Sequence, residues 1–169
     1  MGAVLLLFIG ALVFLLPIRL AALANKQRRE ALERQIYIIR KQITDLANNS
    51  ISLTPEEFFE MREFSVGGRG NPRVSSYHDF TGVYILFNKT KNMHYVGQGT
   101  KVFGRVNNHF TGKGNGDVYA DYKYGDSFSI KMISLKNSKF DSLNELERNV
   151  ILTYDSYSSG YNKTRGNYN

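Results

Sequence analysis

Few residues of this 169-residue chain could carry chemistry. Tyr84 and Tyr95 fall in two β-rich runs, Thr81 to Phe87 and His94 to Gly97, separated by the polar turn Asn88 to Asn92. A hairpin symmetric about that turn sets the two phenols opposite each other on one face. Such a pair stands two phenols side by side, and ordinary strand packing accounts for it as well, since tyrosine is common in strands and pairs well there. Arg105 and His109 are spaced to share one helix face, beside the apolar stripe Val102, Val106 and Phe110. They form a solvated pair, or they converge on a phosphate, an oxyanion that the guanidinium fork fits. Glu147 lies in the helical row Leu143, Glu147, Ile151. A carboxylate on the margin of a buried stripe needs an arginine, hydrogen bonds or a metal; otherwise it is a partly exposed partner for a surface lysine. Its neighbour Glu145 has a structural duty, as the third helical residue of the capping box that Ser142 opens.

The elements that must position these groups follow from local pattern. Thr100 can cap a helix to about Thr111, the segment Gly112 to Asp117 reads as a flexible polar loop, and Phe128 to Ile133 alternates like a third strand. Ser159 to Asn162 is a turn that returns the chain. The expectation is a small α+β domain over residues 77–169, with a central three-stranded antiparallel sheet flanked by helices.

Three segments precede it. Residues 3–24 are apolar apart from Arg19, about the 20 residues a bilayer crossing takes. They read as a transmembrane anchor, or as a signal peptide cleaved near Ala24 in an Ala-x-Ala context. All the positive charges, from Arg19 on, follow the unbroken apolar stretch that ends at Ile18, which places the rest of a single-pass membrane protein in the cytoplasm; cleavage near Ala24 would instead make it secreted. Residues 25–64 form an amphipathic helical region in which Leu32, Ile36, Ile39, Ile43 and Leu46 keep heptad spacing. That seam is either a coiled-coil homodimer contact over residues 32–46 or one helix packing on its own domain. Thr54-Pro55-Glu56-Glu57 starts a short helix to about Phe64. Residues 65–76, with Val66 to Pro72 rich in turn formers, form a linker.

Composition narrows the function classes. The chain carries no Cys, which excludes disulfides, thiolate metal sites and a thiol nucleophile. Its net charge is +7, and residues 77–169 hold 9 Lys and 3 Arg against 6 Asp and 2 Glu, a net +4. Such a field favours a polyanion without conferring sequence recognition.

Taken in order, the motifs resemble those of the GIY-YIG nuclease family. Gly82-Val83-Tyr84 is similar to its first motif and Tyr95-Val96-Gly97 to its second. Arg105 and His109 stand at its motif arginine and histidine, Glu147 at its metal-binding glutamate, and Gly160-Tyr161-Asn162 at its closing motif. The resemblance covers about residues 80–165. Valine replaces isoleucine in both name motifs, Gly104 stands where a lysine often precedes the arginine, and Gln98-Gly99-Thr100 replaces a serine-rich turn.

The resemblance implies a divalent-metal-dependent endonuclease acting on DNA more readily than RNA, with Mg2+ or Mn2+ held by Glu147. It implies catalytic roles for Tyr84, Tyr95, Arg105, His109, Glu147 and Asn162: Tyr84 as base, Tyr95 orienting water, Arg105 on the phosphoryl oxygens, His109 assisting proton transfer or holding a phosphate, and Asn162 fixing Glu147 or the network. Nucleic-acid contacts are expected from Gly97, Lys101, Arg105, His109 and Lys113. Two other readings are a nucleic-acid-binding module without turnover and a membrane-bound scaffold whose basic helix binds lipid.

Overall fold

The computed structural model describes residues 2–64 and 78–167, with side chains from Pro17 onward; the whole of the expected linker, residues 65–76, lies outside the described residues. The chain divides into two units, residues 1–39 and 40–169. The first is the body of a long helix, α1 (Gly2–Asn48), which continues into the second unit. There follow β1 (Ser52–Leu53), α2 (Pro55–Glu63), β2 (Gly82–Asn88), β3 (Met93–Gly99), α3 (Val102–Phe110), α4 (Gly116–Lys123), β4 (Phe128–Ser134), a single 3-10 turn at Leu135–Asn137, and α5 (Leu143–Thr153).

Among the described residues no helix is long and apolar enough to cross a membrane. This corrects the single-pass membrane localisation expected from residues 3–24. From Pro17 on, α1 carries Arg19, Lys26, Arg28 and Arg29, charges that a lipid-facing helix would have to desolvate; the side chains of residues 3–16 lie outside the described residues. The homodimer seam is not supported either: Ile43 is completely buried within the second unit, so its share of the heptad stripe is spent on its own domain.

The sheet is antiparallel with strand order β1-β4-β2-β3, four strands where three were expected. The extra strand pairs only Ser52 with Lys131 and Leu53 with Ile130, too short to leave an alternating pattern in sequence. β2 is flanked on both sides and is buried along most of its length, in keeping with its unbroken apolar run. One face carries Tyr84 and Leu86 of β2 with Phe128 and Ile130 of β4. It is covered by Val102, Phe103, Val106 and Phe110 of α3, Val118 of α4 and Phe58 of α2. The other face is covered by α5, which runs against β3 and β2 and buries Leu146, Val150 and Ile151.

The caps of α2, α4 and α5 are local. Thr54 and Glu57 exchange the two bonds of a capping box at α2 (2.7 and 3.2 Å), Asn115 caps α4 and Ser142 caps α5. For α3 the expected cap, Thr100, does not serve. The Phe103 N–H instead donates to Asp79 Oδ1 at 3.0 Å, a carboxylate brought in from before β2.

Candidate active site

The register of the β2–β3 hairpin decides where the phenols stand. Tyr84 pairs with Gly97 and Tyr95 with Leu86, leaving a loop at Lys89 to Asn92. The tyrosines therefore share a face as diagonal neighbours, not as the directly opposed pair expected; their ring centroids are 6.2 Å apart. Tyr84 is 0% exposed and lies across Gly97: a Cβ there would stand 2.3 Å from Tyr84 Oη and 2.5 Å from Cζ. Gly97 is thus the floor under a buried ring.

His109 comes up from α3 beside both rings, with centroids 5.4 Å from Tyr84 and 4.6 Å from Tyr95. It is 2% exposed, and both its nitrogens are engaged. The Asn115 backbone N–H donates to Nδ1 at 2.9 Å, while Nε2 lies 2.9 Å from Tyr84 Oη. With Nδ1 accepting, the neutral ring carries its proton on Nε2 and donates it to Tyr84. Burial, and then the nearby Arg105 charge, push the imidazole down to about 4. At neutral pH it is an uncharged donor. The segment that reads as a flexible loop is its clamp: a Cβ at Gly114 would come within 2.6 Å of His109 Nδ1. Gly114 and Asn115 are site residues that no sequence signal marked.

The imidazole has a consequence for stability. Between about pH 6.5 and 4 the unfolded chain protonates this histidine and the folded chain does not, so stability is full above pH 6.5 and falls as the pH drops toward 4. Over that interval wild type should lose about 3 kcal/mol more unfolding free energy than His109→Gln, read from urea unfolding at several pH values. Parallel profiles would contradict the buried neutral imidazole.

Arg105 lies one turn earlier on α3, exposed, and makes no salt bridge among the described residues. Its charge favours ionisation of Tyr84, Tyr95 and Glu147. Burial outweighs it on both phenols and holds them above the ordinary tyrosine range, Tyr84 most strongly. Tyr95, only half-buried, is helped further by the neighbouring Tyr84 hydroxyl. A chain of donors thus runs from the Asn115 N–H through His109 to the Tyr84 hydroxyl, whose ring lies beside that of Tyr95.

Glu147 projects from α5 and is 8% exposed. Burial raises its carboxyl above the usual range; the Asn167 backbone N–H, Arg105 and Arg148 offset part of that. Its charge is felt by both tyrosines, so the carboxylate lies within electrostatic range of the two phenols. Glu147 stands alone as a possible ligand: among the described residues no three His, Asp or Glu cluster as a metal cage would require. A single buried carboxylate short of compensating charge does fit Mg2+, which keeps most of its waters and takes one or two carboxylates.

Asn162 does something other than touch Glu147. Its Oδ1 accepts from the Val96 N–H and its Nδ2 donates to the Val96 carbonyl, both at 2.8 Å, along the free edge of β3. The Tyr161 N–H donates to the His94 carbonyl at 2.9 Å, and Gly160 lies so close that a Cβ would be 2.2 Å from that oxygen. The Gly160-Tyr161-Asn162 segment thus completes the edge strand carrying Tyr95 and Gly97. Asn162→Ala should cost about 2 kcal/mol, and Asn162→Asp should not rescue it, because a carboxylate cannot donate to Val96. Urea unfolding checks both; an Asp variant as stable as wild type would contradict the two-bond clamp. Lys101 and Lys113 are exposed at the start of α3 and beyond its end.

Neither a curated protein nor a solved structure matches this chain. A family model described as the GIY-YIG catalytic domain matches residues 80–162, just under half of the chain and spanning every group of the site from Tyr84 to Asn162, and this match supports placing the domain in the GIY-YIG nuclease family.

Proposed function

We propose that the domain hydrolyses phosphodiester bonds as a divalent-metal-dependent endonuclease, with DNA its preferred substrate. The observation carrying the reading is the convergence of an exposed arginine free of salt bridges, a buried carboxylate and two linked phenols. Arg105 binds the non-bridging oxygens and stabilises the charge that builds on them as the bond to the leaving oxygen breaks. Glu147 would hold the cation, which when bound supplies charge neutralisation at the phosphate and the leaving oxygen.

The base role moves from Tyr84 to Tyr95. Tyr84 is fully buried and cannot touch an attacking water, whereas Tyr95 is partly open. Tyr95 must shed its own proton before it can take one from water. The Arg105 charge and the neighbouring Tyr84 hydroxyl both favour that phenolate. His109 and Tyr84 act as positioning residues behind it. Lys101 and Lys113 contact flanking phosphates.

The test is conversion of supercoiled plasmid by the full chain with Mg2+ or Mn2+ against a chelator control, with an RNA of matched length alongside. Relaxation or linearisation that needs the cation is expected. DNA retained intact under salt-sensitive binding would sink the reading in favour of a binding module without turnover.

A further inference from the structure

The residue after Glu147 opens onto a second cleft, of about 390 Å3, bounded by Arg148, Asn149, Leu152, Tyr157, Ser158 and Arg165. The Arg165 guanidinium lies across the Tyr157 ring, 5.2 Å from its centroid. Tyr157 is 41% exposed and Leu152 50%, so an aromatic face and an aliphatic wall meet solvent beside two arginines. Arg165 forms no salt bridge among the described residues. Asp155, the carboxylate in the cleft, accepts from Ser159 Oγ at 2.9 Å.

The cleft adjoins the candidate active site through the backbone. Arg148 Nη1 donates to the Asn167 carbonyl, and the Asn167 N–H donates to Glu147. Between them Gly166, at φ +95°, fits where a Cβ would stand 2.9 Å from Arg148 Cγ and 3.4 Å from Glu147 Oε2. Gly166 alone therefore separates Arg165 of the cleft from Asn167, whose N–H faces the Glu147 carboxylate.

We propose that this cleft is a nucleotide subsite for a single-stranded segment flanking the scissile bond. An unstacked base lies on Tyr157 against Leu152, and its phosphate is met by Arg165 and Arg148. A ring and an apolar wall suit a base of any sequence, and the guanidinium groups suit the anion beside it. The proposal rests on the nuclease reading for the direction of the strand, but its binding element stands on this cleft.

The experiment is a fluorescence anisotropy titration of the full chain with a labelled single-stranded oligothymidylate at fixed salt, without divalent metal. Tyr157→Ala and Arg165→Ala should each weaken binding about tenfold. Tyr157→Phe, which keeps the ring, should bind as wild type, and Lys123→Ala, an exposed charge on α4 and not among the cleft residues, should change affinity less than twofold. The subsite is overturned if both alanine variants bind within twofold of wild type, if Lys123→Ala weakens binding as much as they do, or if wild type does not bind the oligonucleotide. Selective loss of binding in a protein that cuts no plasmid would leave the subsite standing and remove the nuclease reading. Cleavage by wild type with unaltered binding by the variants would do the reverse.

Discussion

Glu147→Gln is expected to lower cleavage by about 1,000-fold or more while making the folded protein more stable. The side chain keeps its shape and its amide oxygen can still accept from the Asn167 N–H, so what is lost is the negative charge proposed to hold the cation. A thousandfold loss corresponds to roughly 4 kcal/mol of transition-state stabilisation. The stability change has the opposite sign. Burial raises the Glu147 carboxyl above its ordinary value, so the folded state binds the proton more tightly than the unfolded chain does. Stability is therefore lost as pH rises through that range, and at neutral pH the buried charge is a net cost that glutamine removes. A rise in the urea midpoint at pH 7 together with dead enzyme is the signature of a site kept functional at the expense of stability. Cleavage within tenfold of wild type would mean that Glu147 does not hold the cation.

Gly97→Ala is the second. A Cβ at 97 meets Tyr84 Oη, Cζ and Cε2 at 2.3, 2.5 and 2.9 Å, and a fully buried ring packed beside His109 and Tyr95 has nowhere to retreat. Overpacking of this kind costs about 3 kcal/mol. Tyr84→Ala alone costs about 4 kcal/mol, as large-to-small changes in a core do. In the double variant the new methyl enters the space the ring vacated, so the sum should overshoot the measured loss by about 2 kcal/mol. Tyr84→Phe should give no such relief, because the clash begins at Cζ and not only at the hydroxyl. Additive losses in urea unfolding would show that the ring does not lie on Gly97. In activity, Gly97→Ala should behave like loss of Tyr84, since it displaces the ring packed beside Tyr95.

Much of the domain was legible from residue order. β2, β3 and β4 declared themselves through β-branched and aromatic runs, and α2 and α5 through caps that sit within three residues of the groups they satisfy. These are near-neighbour effects, and a string of residue types contains them. Arg105, His109 and Glu147 were legible as types able to do phosphate chemistry, because a guanidinium or a carboxylate beside an apolar stripe needs a reason.

What stayed hidden depends on chain segments far apart. The hairpin register moved Tyr95 two residues along from its expected partner, since packing against β4 and α3 decides it and turn symmetry does not. The cap of α3 came from Asp79, and the clamp on His109 from Gly114 and Asn115, in a stretch whose glycines and polar residues also suit an open loop. Asn162 was marked as a catalytic candidate, yet its partner is the backbone at Val96, and a backbone partner leaves no trace in residue type. By itself the sequence determined which groups are present and which short elements bear them, since those follow from side-chain chemistry and local hydrogen bonding. Only the tertiary structure decided which phenol meets water and which is walled in, because burial is a property of the whole packed domain.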